Sequence, residues 1–117
     1  MKRFVILQHE KETGIHWDLM FEAEKALHTW AIPPQKIGCS FQASGERLPD
    51  HRIVYLEYEG EISGGRGRVF QIDSGFFEQI DSVTYLLSGK HFQGNLKVFA
   101  PNDIVSILNF ISASDEL

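Results

Sequence analysis

Short apolar, β-branched runs recur along this chain at intervals too brief for helices, and turn residues separate almost all of them. The runs are Arg3–His9, Ile15–Ala23, Leu27–Ile32, His51–Tyr58, Gly67–Asp73, Val83–Leu87 and Leu96–Ala100. Between them stand Thr13-Gly14, Glu24-Lys25, Pro33-Pro34, Ser63-Gly64-Gly65, Ser74-Gly75, Ser88-Gly89 and Pro101-Asn102-Asp103. Many short strands with regular turns predict a mainly β chain, either an antiparallel sandwich or a small antiparallel β-barrel of about seven to eight strands. Residues 33–50 hold Pro, Gly, Ser and polar side chains and read as a long surface loop. From Ile104 the tail has helical spacing at Ile104, Ile107, Leu108 and Ile111, but its β-branched content favours a final strand.

A chain of 117 residues supports one domain, 1–117, with a core that needs no staples. No apolar run reaches the length of a membrane span, and the apolar part of MKRFVILQHEK is too short for a signal peptide. The expectation is a cytoplasmic protein without membrane partners. A lone cysteine, Cys39, excludes an intrachain disulfide and disfavours a thiolate zinc site. Net charge of −5 argues against an indiscriminate nucleic-acid binder, though not against gripping one phosphate with a few local cations.

The chemistry-bearing stretch is QHEKETGIHWDL, from Gln8 to Leu19. On a strand His16 and Asp18 project from one face, while Trp17, Leu19 and Phe21 point oppositely into a core. A turn at Thr13-Gly14 returns this strand beside the one that ends in His9. Two imidazoles and a carboxylate brought together suit a divalent transition ion such as Mn2+ or Zn2+. The same pattern also fits the solvated face of a half-buried sheet.

Other polar residues carry weaker signals. His51 and Tyr55, on an extended strand, fall in one row flanking Ile53, where they can bind a phosphate oxygen, donate a proton or orient a water. Arg66 and Arg68 alternate with glycine in GGRGRVF and offer planar forks for phosphate, or else mark a solvated hairpin end. His28, on a face with Trp30 and Ile32, reads as a core or subunit contact, and His91 as an exposed turn residue.

In this order the pieces resemble the 3′-phosphoesterase domain of bacterial DNA ligase D, from Phe4 to about Phe99. The resemblance is carried by LQH ending at His9, HWDLMFE from His16, TWAIP from Thr29, DHRIVYLEYEG from Asp50, GRGRVFQIDSG from Gly65 and LSGKHFQGNL near the end. It implies a compact β-barrel with a manganese-dependent site that trims 3′ ends of nucleic acid in end joining, removing a terminal ribonucleoside and then the 3′-phosphate. By position, His9, His16 and Asp18 would be metal ligands, and His51 and Tyr55 would contact the scissile phosphate. His51, if protonated, would stabilise the developing charge or protonate the leaving oxygen. Partners would be nucleic-acid 3′ ends, with a separate ligase or polymerase alongside.

The chain departs from the pattern where it matters. Met20 stands where the family has a phosphate-contacting arginine, and Pro34 replaces a lysine after the tryptophan segment. The turn after Glu59-Gly60 is shortened to Ser63-Gly64. Losing one clamp commonly costs about 10²–10³ in rate, unless Arg52, Arg66 or Arg68 replaces it. Three functions are compatible with this. One is a phosphoesterase with an altered clamp, and another is a weakened or inactive homologue serving as a metal- or nucleic-acid-binding module. The third is a phosphoesterase for a small phosphorylated metabolite. A groove lined by Lys36, Arg52, Arg66 and Arg68 would indicate nucleic acid, and a narrow pocket a metabolite.

Overall fold

In a computed structural model that describes residues 1–115, nine antiparallel strands succeed one another in the order they are numbered. They are β1 (Lys2–Lys11), β2 (Gly14–Ala23), β3 (Ala26–Ile32), β4 (Phe41–His51), β5 (Gly60–Glu61), β6 (Arg68–Gln79), β7 (Thr84–Gly89), β8 (Gln93–Phe99) and β9 (Val105–Ser112). Eight of them close a barrel in the order β1-β2-β3-β4-β9-β8-β7-β6, sealed by β1 against β6, and β5 adds to β6 outside the ring. Among the described residues no helix is long and apolar enough to cross a membrane.

Alternation builds the barrel wall. In β9 buried Ser106, Leu108, Phe110 and Ser112 alternate with more exposed residues, the period-two signature of a half-buried strand. The interior is aromatic: Phe21 meets Tyr85 at 4.8 Å, Phe77 at 5.2 Å and Trp30 at 6.0 Å between ring centroids. Phe92 closes the other end against Phe110 at 5.3 Å and Trp17 at 6.0 Å.

β1 and β2 break the alternation, because Phe4–Leu7 and Trp17–Phe21 are buried on both faces. The outer face of these strands carries Val5, Leu7 and Met20. With Leu27 and Val69 they form a second apolar layer, covered by Leu56, Ile53, Tyr55 and Ile62. The chain from 52 to 66 is therefore a flap over the outside of the barrel, and it decides where the site lies.

Three sequence expectations are corrected here. Residues 33–50 are not one loop, since β4 begins at Phe41. Its inward positions, Phe41, Ala43 and Gly45, are mostly small and give little apolar signal; a Cβ on Gly45 would run into Leu108. The expected strand His51–Tyr58 is instead the end of β4 followed by a 3-10 turn, Ile53–Leu56, which folds the flap onto the second apolar layer. Ser74-Gly75 is not a turn, because β6 continues to Gln79. Gly75 sits mid-strand, where a Cβ would strike the Ser88 carbonyl. The tail from Val105 is a strand, as expected. His28 is half-buried on β3, and His91 is exposed.

The β6–β7 turn rests on Asp81, whose Oδ1 accepts from the backbone N–H of Val83 and of Thr84, each at 2.9 Å. The Val83 hydrogen bond, followed by that to Thr84, holds this carboxyl below its ordinary value. A depressed carboxyl stabilises the fold above its unfolded pKa and loses that contribution as pH falls through the folded one. Asp81→Ala should therefore melt lower than the parent at neutral pH, and the gap should close in acid. A pH series of thermal melts checks it, and a gap constant with pH would contradict the turn assignment.

Candidate metal centre and adjoining cavity

The β1–β2 hairpin brings the three candidate ligands together by register. His9 lies directly opposite His16, and Asp18 opposite Leu7, one pair further along the same outer face. The imidazole rings meet edge to face at 4.9 Å between centroids. His9 Nδ1 lies 3.6 Å from Asp18 Oδ2, and His16 Nε2 lies 3.0 Å from Oδ1. One ligand atom from each of the three falls within 4.8 Å of the others.

Two features fit this cluster to a cation. Asp18 is only 1 % exposed, yet its Oδ1 accepts no hydrogen bond; His16 Nε2 is near but not aligned to donate. A buried carboxylate oxygen without a donor is costly unless a positive charge compensates it. The second feature is tautomer control. His9 Nε2 is 2.7 Å from the carbonyl of Arg66, which can only accept, so Nε2 carries a proton and Nδ1 is the nitrogen turned toward Asp18. A carbonyl fixing the far nitrogen is the usual outer support of a metal-binding histidine.

That carbonyl is placed by glycine. Gly64, Gly65 and Gly67 take φ of 79°, 67° and 84°, a conformation costly for any residue with a Cβ. At Gly67 a Cβ would also collide with the Glu10 carbonyl, the residue after His9. Gly67→Ala should lower metal affinity about 10–100-fold by displacing the support of His9, and calorimetric titration with Mn2+ reads it. Unchanged affinity would show that the Arg66 carbonyl does not matter to the ligand set.

Beside the cluster, between barrel and flap, opens a cavity of about 950 Å³. His9 and Asp18 border it with Met20, His51, Arg52, Tyr55 and Arg66. An extra residue in β4 puts His51 there: Thr29 pairs with Leu48 but Leu27 with His51, which keeps both partners on the outer face. His51 Nδ1 is 2.9 Å from the Pro49 carbonyl, so that nitrogen holds a proton and Nε2 is left for a ligand. Tyr55, one turn on, packs its ring 5.9 Å from that of His51. The two residues meet as expected, but through a 3-10 turn rather than along a strand.

The cations are distributed unevenly. Arg52 is exposed and lines the cavity. Arg66 lines it too, but its guanidinium donates to Ser63, from Nε to the carbonyl at 2.7 Å and from Nη2 to Oγ at 3.3 Å. Arg68 lies outside the cavity, bonded to Glu10 at 3.2 Å and stacked 5.2 Å over Phe70. Lys36 is not on its wall either, whereas Lys11, which the sequence reading passed over, is. Met20 is 1 % exposed and belongs to the second apolar layer.

Comparison with known proteins gives one family. Residues 7–100 match the model of the DNA Ligase D 3'-phosphoesterase domain. No curated protein matches the chain.

Proposed function

We propose that this chain, which belongs to the DNA ligase D 3′-phosphoesterase family, is a metal-dependent hydrolase that trims 3′ ends of nucleic acid with an altered phosphate clamp. What carries the proposal is the meeting of His9, His16 and the donor-less Asp18 Oδ1 at the wall of a cavity that also holds His51 and Tyr55. Mn2+, or a similar divalent transition ion such as Zn2+, suits two imidazoles and a carboxylate, and when bound there it would polarise a phosphoryl oxygen and neutralise charge gathering on it.

The chain's own groups do the rest. His51, its Nδ1 proton fixed on Pro49, offers Nε2 to the phosphate; as imidazolium it donates to a phosphoryl oxygen or protonates the leaving oxygen. The Tyr55 hydroxyl donates to a second oxygen. Arg52 supplies the planar fork that Met20 cannot. We assign Arg66 to holding the loop through Ser63 and Arg68 to drawing a polyanion toward the site. The setting we propose is cytoplasmic DNA repair by end joining, where a separate ligase or polymerase takes over the trimmed 3′ end.

Met20 favours a second reading, a binding module that keeps the metal but has lost turnover, because an apolar side chain fills the clamp position. A primer-template ending in a 3′-ribonucleotide or 3′-phosphate separates the two. Mn2+-dependent trimming, abolished by chelator and reduced about 10²–10⁴-fold in His51→Ala, is the expected result. Mn2+ binding without trimming would replace the hydrolase with the binding module.

A further inference from the structure

The metal cluster stands on a ridge between two recesses. His9 and Asp18 border the cavity under the flap, whereas His16 borders a second recess of about 650 Å³ on the other side. Lys11 borders both. The floor of the second recess is the outer sheet face, where register sets Asp18, Ala31, Glu46 and Val105 in one row across β2, β3, β4 and β9. Ala31 is the smallest of the row and makes the dip. Strand spacing puts Glu46 about 10 Å from Asp18, the span of one nucleoside.

The two sides differ in how many ionic groups they carry. The cavity under the flap is lined by Lys11, Arg52 and Arg66 and by Asp18, Asp50 and Glu61. Asp18 belongs to the metal cluster and Asp50 pairs with Arg47, which leaves Lys11 and Arg52 for phosphate. Among the described residues, the second recess has Lys11 as its one permanent cation and Glu46 as its one carboxylate, with Ser44 and otherwise mainly apolar lining. Glu46 is exposed and has no ion-pair partner among the described residues. Such a surface cannot neutralise a run of phosphates. It fits a single neutral nucleoside, with the base against apolar side chains and sugar hydroxyls or an amino edge donating to Glu46 and Ser44.

We propose that this recess binds the nucleoside on one side of the scissile phosphoester, while the polyanionic strand lies under the flap. The assignment rests on the phosphoesterase reading, and it makes Glu46 a specificity residue away from the reacting atoms. Adenosine, which has no phosphate, is the probe. Titrated into 15N-labelled protein, it should give saturable shifts at the amides of Ala31, Ser44–Glu46 and Val105. Glu46→Ala should weaken binding about tenfold, as loss of a charge-assisted hydrogen bond does. Ala31→Leu, which fills the dip, should abolish it, and His51→Ala should leave it unchanged. No saturable shift, shifts confined to His51 and Arg52, or full affinity in both recess variants would overturn the proposal. The trimming assay is independent: activity without adenosine binding removes the recess, and adenosine binding without activity removes the phosphoesterase.

Discussion

Asp18→Asn should abolish divalent-metal binding while leaving the barrel folded. Asp18 is 1 % exposed and, among the described residues, is the only carboxylate of the ligand cluster, so it supplies the anionic ligand of a site otherwise built from imidazoles. Removing it should cost more than the roughly 10–100-fold typical of an outer support, and we expect at least about a hundredfold. Stability should move the other way. The wild-type apo site buries a charged oxygen with no donor, and an amide of the same shape removes that desolvation penalty. Without metal, Asp18→Asn should therefore melt no lower than the parent. With metal at about 100 times its dissociation constant, the parent gains about 2.7 kcal/mol from mass action, several degrees in melting temperature. The variant should gain nothing. Thermal melts with Mn2+ and with chelator decide this, and an equal Mn2+-induced rise in both proteins would remove Asp18 from the site.

How far the site could be read from the chain follows from which signals are local. The shared face of His16 and Asp18 needs only period-two geometry, and a short turn brings His9 opposite. What the sequence did not reveal is that this face is covered. Its apolar members, Val5, Leu7 and Met20, interleave with the inward residues and look like one continuous strand run, and the flap that buries them is remote in sequence. Residues 51–58 belong to the same flap: they alternate like a strand but turn in 3-10 geometry over Leu27 and Val69. β4 was hidden because its inner face is built from Ala43 and Gly45. The role of Arg66 was legible only in part. Its side chain suggested phosphate, but the atom that touches the cluster is its main-chain carbonyl, and backbone contacts leave no trace beyond flanking glycines.

Asp73→Ala should strongly destabilise the protein. Asp73 is 2 % exposed, and its Oδ1 accepts from the N–H of Ser74 and Lys90 at 2.9 Å and of His91 at 3.1 Å, while Oδ2 accepts from Phe92 at 2.8 Å. One carboxylate thus satisfies the turn between β7 and β8 and seats Phe92, fully buried among Trp17, Phe41 and Phe110. Hydrogen bonds to a charged group contribute about 1.5–3 kcal/mol each, and buried donors left unpaired cost a similar amount. Only the Phe92 N–H is fully buried, and the Lys90 N–H keeps the Ser74 carbonyl at 3.2 Å as a second acceptor, so the loss should be about 3–5 kcal/mol, a large part of the stability of a small domain. Asp73→Asn keeps one acceptor oxygen but sets an amide N–H against a backbone N–H, and should lose less, about 2–3 kcal/mol. Urea midpoints at constant slope measure both, and an alanine variant within about 1 kcal/mol of the parent would contradict the assignment. The Asp73-Ser74-Gly75 step would then be architectural at both ends. Asp73 pins the turn, and Gly75 lets β6 pass the Ser88 carbonyl. It follows that folded Asp73→Asn should bind Mn2+ with unchanged affinity, whereas Asp18→Asn should not, although both remove a buried carboxylate from the same barrel.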